Sequence, residues 1–319
     1  MAYTGTGDVS SDTAAFQQLA YFAFRSQPMY EMIADVRSTA QTHNGASVQF
    51  NIYDNMAQAT SALTEASDVT AVALGDSTVV VTLAEYGNAV ITTAKLRGTS
   101  FLNVDADAAN IIGYNMVDSV DKLVSNVANA GTNVIYAQGS AGSRPASRVA
   151  VSDANTFGAQ EGRQTVAELR GDSAPGWENG NYMAIIHPDV SYDLRGETAV
   201  TDVIQYQLYQ EGAPIRAGSI GTFNGINYIE NPRAPILDDA GVGGATNVYQ
   251  TIVAGRQALA KAFSRAPGFG EQPSIVFGPV TDTLRRFNPV GWYHLAGWGI
   301  FRQECLRRIE SSSSIGDNT

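Results

Sequence analysis

Leu83-Ala-Glu-Tyr-Gly-Asn-Ala-Val-Ile-Thr-Thr-Ala-Lys-Leu96 precedes the longest helical pattern in the chain, Asp105–Ala130, and the two together set the fold class. Asn88–Thr93 and the stretch before it, Thr78–Glu85, are β-branched runs that read as strands. From Asp105 onward Ala108, Ile112, Met116, Val120, Leu123 and Val127 recur three or four residues apart, which is one stripe of a helix. Asp105 and Asp107 fall in the first turn, where carboxylates complement the positive end of the helix dipole, and Gly131 is a suitable residue to end it. At 1.5 Å per residue the helix is a rod of roughly 39 Å, well beyond the usual length.

Upstream, Ser47–Asp54 alternates strictly, with Val48, Phe50 and Ile52 on one face and Gln49, Asn51 and Tyr53 on the other. Between this strand and the next lies Met56–Ser77, rich in Ala, Ser, Thr and Asp, so the pattern predicts a long two-stranded ribbon. An isolated ribbon buries too little surface to be stable in water and needs a neighbour. Residues 1–45 read as an arm. It has a Gly/Ser/Thr/Asp start and a helical stretch from Thr13 to Phe24. After a break at Gln27-Pro28, helical spacing resumes through Met29, Met32, Ile33 and Val36. Two short helices are too small to bury Phe16, Leu19, Ala23 and Phe24 between themselves, so the arm is expected to pack on something else.

Downstream, Ala137–Pro145 is a Gly/Ser loop and a candidate boundary. Helical patterns at Gln160–Arg170 and Thr198–Tyr209 then alternate with strand patterns at Tyr182–Ile186, Thr222–Ile229 and Val248–Val253, giving a mixed α+β region over 151–284. Gly291–Glu310 reads mainly as extended strand with Phe301, Cys305 and Ile309 on one side, and Ser311–Ser314 as a tail.

With 319 residues, 44% of them hydrophobic, the chain can bury one large core or two modest ones. Its longest apolar runs, such as Val79–Val81 and Met183–Ile186, fall far short of the roughly 20 residues that cross a bilayer. No basic-then-apolar secretory pattern opens the sequence, so the chain is expected to fold in the cytoplasm, without a membrane partner. A single cysteine, Cys305, excludes an intrachain disulfide and a Cys-rich metal site. The net charge of −11 argues against tight nucleic-acid binding, which demands clustered Lys and Arg. Charged residues are only 16%, against about 25% in an ordinary globular protein. That scarcity favours oligomerisation, because interface cores are depleted in Lys and Glu. The excess of 17 Arg over 3 Lys is equally explained by GC-rich codon usage.

Catalytic, cofactor-binding and metal-ligating residues are all expected to be absent. His43, His187 and His294 stand alone with no HExxH spacing, and His187, just before Pro188, reads as a strand end. Gly241-Val-Gly-Gly244 lacks the strand, turn and helix of a dinucleotide loop, and neither GxxxxGK[ST] nor GxSxG occurs. Asp238-Asp239 sits in a Pro/Gly-rich stretch and reads as a solvated loop. Arg285-Arg286 and Arg307-Arg308 are the basic doublets, read as candidates for ion pairs with a neighbouring subunit rather than for DNA. Trp292, Tyr293 and Trp298 read as core.

The order of these features, from aromatic arm through ribbon, spine helix and α+β region to a returning C-terminal strand, resembles the major capsid proteins of tailed double-stranded DNA phages. Leu83–Leu96 with the helix after it looks like the capsid family typified by the coliphage N4 shell protein. Tyr182–Leu194, Gly218–Ile226 and Gly291–Trp298 follow in the family's order, and the resemblance spans roughly residues 44–310. It implies an α+β Hong Kong 97-type capsid fold: an N-terminal arm (1–45), a long hairpin E-loop (46–97), a peripheral domain (98–150 and 285–319) with the spine helix 105–130, and an axial domain (151–284).

The implied function is that of a non-enzymatic shell subunit assembling as hexamers and pentamers into an icosahedral virion capsid. The partners implied are other copies of the chain, portal, scaffold and decoration proteins, and packaged DNA contacted without sequence preference. Expected assembly residues are Phe16 and Phe24 on the arm, Val48, Phe50 and Ile52 on the ribbon, Glu85 and Tyr86 in the signature stretch, and Arg285, Arg286, Arg307 and Arg308. The nearest rival is an encapsulin, a cellular compartment of the same fold around a cargo enzyme; a further one is an enzyme whose site has no recognisable motif. Some members of the fold weld subunits through an isopeptide bond from an E-loop Lys. Here no Lys precedes Lys95, so no such crosslink is expected. The short arm does not resemble a fused charged scaffold, and any scaffold is expected to be a separate protein.

Overall fold

The computed structural model describes residues 28–36, 45–63, 65–66, 68–100, 104–196, 219–266, 270–278, 282–284 and 286–315. In chain order the first half holds β1 (Ala34–Val36), β2 (Ser47–Tyr53), β3 (Asp76–Thr82), β4 (Ala84–Thr93), α1 (Ala94–Thr99), α2 (Val104–Asn129) and β5 (Val134–Tyr136). Next come α3 (Ala159–Gly171), β6 (Tyr182–Ile186), α4 (Pro188–Gly196), β7 (Ser219–Phe223), β8 (Ile226–Glu230) and β9 (Ile236–Leu237). The last part holds β10 (Val248–Ala254), β11 (Leu259–Phe263), β12 (Ser274–Phe277), β13 (Phe287–Ile300) and β14 (Leu306–Ser311).

These strands form two sheets and a separate ribbon. β13 is the axis of a five-stranded sheet, flanked on one side by β4 and on the other by β11 and β12, with β1 outside β11. The second sheet has seven strands in the order β5-β14-β10-β6-β8-β7, with β9 also on β10. Among the described residues β2 and β3 pair only with each other, Val48 opposite Val81. Every residue of β10 is buried, as a central strand covered on both faces requires. One continuous core joins the sheets to α2, α3 and α4, taking in Tyr30, Ile33, Val124, Leu169, Val190, Ile252, Leu259 and Ile309. Each large apolar side chain fully buried there contributes about 1.5–3 kcal/mol.

The strands expected at 47–54, 182–186 and 248–253 and the helices expected at 105–130 and 160–170 are present to within a residue or so. At the start of α3, Glu161 accepts the backbone N–H groups of Gly158 and Gln138, both at 3.0 Å, which ties the Gly/Ser loop to the helix end. The buried face of α2 is only partly the expected one. Ala108, Ile112 and Val120 are buried, but Met116, Leu123 and Val127 are half-buried while Asp121, Val124, Ser125 and Ala128 are covered. An i, i+4 row drifts slowly around a straight helix, and here the segment from Tyr30 to Ile33 lies over the Asp121–Ser125 side.

Four other expectations are corrected. Met29–Val36 does not resume a helix: one 3-10 turn, Tyr30–Ile33, runs into β1, which pairs in parallel with β11 and so satisfies its backbone through the sheet. Thr222–Ile229 is a hairpin, not one strand, because Asn224 (φ 51°) and Gly225 (φ 81°) form the two-residue left-handed turn that Asn-Gly favours. Gly291–Glu310 breaks after Ile300, and a 3-10 turn at Gln303–Cys305 carries the chain from one sheet into the other. The serine tail is interior at Ser311–Ser313, with Ser312 N–H donating to the Asn155 carbonyl at 2.9 Å. α4 was not expected; its first turn is capped by His187, whose Nδ1 accepts the Asp189 N–H at 3.2 Å. The helix expected at Thr198–Tyr209 lies outside the described residues.

Sheet membership also crosses the expected boundaries. β5 and β14, from stretches assigned to the peripheral domain, sit in the seven-stranded sheet, and β11 and β12, from 151–284, sit beside β13.

Candidate assembly interface

The ribbon is rooted in its own subunit. Val48 and Val81 are buried against Ala260, Ala262 and Phe301, with Phe50 and Ile52 packed at the margin. Phe50 meets Phe301 edge-on at 6.0 Å. The root crosses β13 where that strand has no side chains: a Cβ on Gly297 would stand 2.2 Å from the Thr82 carbonyl oxygen, and one on Gly299 2.9 Å from a Val81 methyl. Val48, Phe50 and Ile52 were expected to meet a neighbour. They serve instead as the anchor of the ribbon, because the alternation that marks a half-buried strand does not say which molecule covers it.

Beyond the root the ribbon is bare. Every described residue from Tyr53 to Thr78 is exposed, among them Met56, Val69, Val72, Leu74 and Leu63, the last at 78%. The two ends of this excursion are clipped together by a hydrogen bond from Asp54 N–H to the Gly75 carbonyl at 2.9 Å. A second bare region lies on the five-stranded sheet. α2 covers one face, where Trp292 Nε1 donates to Asn115 Oδ1 at 2.9 Å. The opposite face shows Ile91, Val276 and Phe287 to solvent.

The remaining expected residues divide. Tyr86 turns inward, 5.8 Å from Trp298, beside His294 and Lys261. Glu85 is exposed opposite Leu295 of its own chain. Arg286 is exposed, paired with Asp282 at 3.0 Å and lying 5.5 Å over the Phe287 ring. Phe16, Phe24 and Arg285 lie outside the described residues. The reading of Arg307 and Arg308 as intersubunit partners is corrected. β14 is an inner strand between β5 and β10, and its charges are met within the chain. Arg307 is buried and pairs with Glu168 at 3.2 Å and with Asp172. Arg308 Nε is 2.9 Å from Glu310, and its guanidinium also donates to the Asn129 carbonyl.

Sequence reasoning missed the buried charges. Glu310 accepts two hydrogen bonds from Arg148, at 2.9 and 2.6 Å, and one from Gln250 at 3.1 Å. Burial pushes its carboxyl up, and Arg148, Gln250 and Arg308 together outweigh that and hold it below the usual range. Lys261, 0% exposed in the middle of β11, pairs with Glu31 on the segment leading into β1. Asp121 accepts the Tyr30 N–H at 2.6 Å, and burial raises its carboxyl despite that bond. His294 is pushed down to about 4 by burial and by the Lys261 charge. The available signal was a charged residue inside an apolar run, as in Leu259-Ala-Lys-Ala-Phe263. These groups hold the arm segment, α2 and the sheets in one arrangement. Among the described residues no three His, Cys, Asp or Glu side chains are grouped to hold a metal ion, and no helix is long and apolar enough to cross a membrane.

Solved structures share this architecture end to end. The capsid of Ralstonia phage GP4 superposes with a TM-score of 0.75 at 14% identity, covering 100% of this chain and 99% of that one. The cyanophage Pam1 capsid gives 0.75 at 13% identity with 98% of both chains covered. The capsid of cyanophage P-SCSP1u gives 0.72 at 18%, covering 98% of this chain and 96% of that one. At such identities the likeness establishes the fold. No curated protein sequence matches the chain. The family described as phage capsid protein matches residues 6–306. Matched over nearly its whole length and folded on the Hong Kong 97 plan, the chain belongs to the phage capsid protein family and is a shell-forming major capsid subunit.

Proposed function

We propose that this subunit assembles as hexamers and pentamers into an icosahedral shell around packaged double-stranded DNA, without enzymatic activity, and that the ribbon is an E-loop lying across an adjacent copy. The bare outer half of the ribbon carries this reading. Five apolar side chains, Met56, Leu63, Val69, Val72 and Leu74, are held in solvent on a stretch that, among the described residues, has no strand partner, with exposed Tyr53 at its start. An isolated hairpin of that kind is marginal in water, and a second subunit covering it removes the cost. In this reading the peripheral part is the five-stranded sheet with α2, and the axial part is the seven-stranded sheet with α3 and α4. On this reading the domain boundaries differ from those expected from sequence order. The resemblance of Leu83–Leu96 to the N4-type capsids supports placing the chain near that branch. Phe16 and Phe24 on the arm are assigned to a further copy, Glu85 and Arg286 to the subunit surface, and the segment through Arg285 to the same rim as Arg286. The net charge of −11 suits a container whose DNA contacts are few and non-specific. Portal and scaffold proteins complete the set of partners, with assembly in the host cytoplasm.

The test is negative-stain electron microscopy with light scattering on the protein expressed alone and with its neighbouring genes. Closed shells or capsomer rings, with nuclease-protected DNA in the co-expressed particles, are the expected result. A monodisperse small species under both conditions refutes the reading.

A further inference from the structure

Resting on the reading that the shell encloses double-stranded DNA, we propose that the exposed face of α3, with the two turns at its C-terminal end, is the surface on which this subunit meets that DNA. Arg163, Arg170 and Arg256 hold its phosphates without reading the bases.

Ion pairing elsewhere in the chain singles these residues out. Most described arginines lie against a carboxylate, as Arg148 does against Glu310 and Arg195 against Glu230. Among the described residues Arg163, Arg170, Arg256, Arg265 and Arg302 pair with none. Arg265 lies 5.8 Å over the Phe263 ring, and the other four are gathered by α3 and the turns at its end. Arg163 and Arg170, two turns apart, stand on one exposed stripe of the helix, because Gly162, Val166 and Leu169 are its covered stripe. Past the helix the Pro175 carbonyl accepts the Arg256 N–H at 2.8 Å, and the Gln257 carbonyl accepts the Arg302 N–H at 3.1 Å. Tyr182 joins the two sides. Its hydroxyl donates to the Ala174 carbonyl at 3.0 Å beside the Arg170 guanidinium, and a Cβ on Gly255 would stand 3.4 Å from its ring. The carboxylates of the helix do not neutralise this face: Glu161 is 1% exposed and accepts backbone N–H groups, while Glu168 and Asp172 hold buried Arg307. Glu178 and Glu304 are the remaining acidic residues of the turns.

The chemistry of the face selects the occupant. A protein partner would bury an apolar centre. Between Val149 and Tyr192, and in the turns at 255–258 and 301–305, no large apolar side chain among the described residues is exposed. A phosphate backbone needs none, since guanidinium forks grip its oxygens and leave the sequence unread. Seven residues of helix set Arg163 and Arg170 about 10.5 Å apart along the axis. A duplex lying along α3 presents roughly six phosphate charges over that length. So few cations on a chain of net charge −11 make the contact weak and salt-sensitive, as contact without sequence preference requires.

The test follows the anisotropy of a short fluorescein-labelled duplex with subunits or capsomers separated from closed shells, over a range of salt. Wild type is expected to bind with log affinity falling linearly in log salt. Arg163→Gln with Arg170→Gln and Arg256→Gln is expected to bind at least about tenfold more weakly at low salt, with a slope flatter by about 3. The corresponding triple Lys variant keeps the charges and is expected to keep the slope. Equal slopes for wild type and the Gln variant overturn the proposal, as does a Lys variant as weak as the Gln variant or a wild type that binds no duplex at low salt. So does a Gln variant whose shell yield falls while its DNA affinity holds, because the face then belongs to a second copy. Arg163→Gln alone keeps the test decisive if the triple variant does not fold: its slope should flatten by about 1, and an unchanged slope overturns the proposal. Nuclease-protected DNA in co-expressed shells, with an insensitive face, refutes the DNA face alone, whereas shells that never hold protected DNA refute the reading beneath it.

Discussion

Replacing Glu310 by Gln tests whether the buried charge network, and not apolar packing alone, holds β14 in the seven-stranded sheet. The carboxylate is fully buried and accepts Arg148 Nε at 2.9 Å, Arg148 Nη2 at 2.6 Å and Gln250 Nε2 at 3.1 Å, with Arg308 Nε 2.9 Å away. The amide keeps the shape, removes the charge, and turns an NH2 toward guanidinium donors that then lack an acceptor. Breaking a buried pair from one side costs about 3–5 kcal/mol. The Arg148 side chain is 37% exposed and can turn to water, which lowers the figure to about 2–4 kcal/mol. For a chain of 319 residues that is a fall in Tm of roughly 3–6 °C. The sign with pH follows from the depressed carboxyl: folded Glu310 titrates below its ordinary value of 4.5. Its stabilisation is therefore fully present above that value and is lost as pH falls through the folded pKa. Calorimetry of wild type and Glu310→Gln, at one concentration and one assembly state, is expected to show a gap at pH 7 that narrows toward pH 3. A gap below about 1 kcal/mol at pH 7, or one that does not narrow in acid, refutes the reasoning.

Val120→Asp places an unpaired charge on the buried face of α2 and is expected to cost more than about 3 kcal/mol; a variant as soluble and as competent to form shells as wild type shows that the face is misassigned. Gly297→Val forces side-chain atoms into the Thr82 carbonyl, so the ribbon root should lift and residues 54–75 should be cleaved faster in limited proteolysis, while an unchanged digestion pattern counts against the glycine floor. Cys305 is buried and burial raises its thiol, so at pH 8 native protein should react with a thiol reagent at least about a hundredfold more slowly than protein in denaturant; comparable rates contradict that burial.

Much of the architecture was legible in the sequence because its signals are local. The stripe of Ala108, Ile112 and Val120, the alternation of Val48, Phe50 and Ile52, and the largely apolar strand pattern of Val248–Val253 are local signals, and the structure contains each element. The ribbon was legible too, as two strand patterns on either side of the Ala/Ser/Thr/Asp-rich stretch 56–77. The candidate interface was less so. Arg307 and Arg308 look like a surface doublet, yet the partners of Arg307 are Glu168 and Asp172, 139 and 135 residues away. No spacing rule connects residues that distant.

The sequence by itself determined where the strands, the long helix and the exposed acidic loop lie, since helix and strand periods and the absence of cations from 46–83 are properties of neighbouring residues. The tertiary structure alone decided which molecule covers each face. Val48 and Tyr86 were turned inward because Gly297, Gly299, Phe301 and Trp298 arrive from the far end of the chain to receive them. Gly291–Glu310 was divided between two sheets because strand pairing is fixed by the backbone groups each edge leaves unsatisfied, and those edges are built from segments that meet only once the chain has folded.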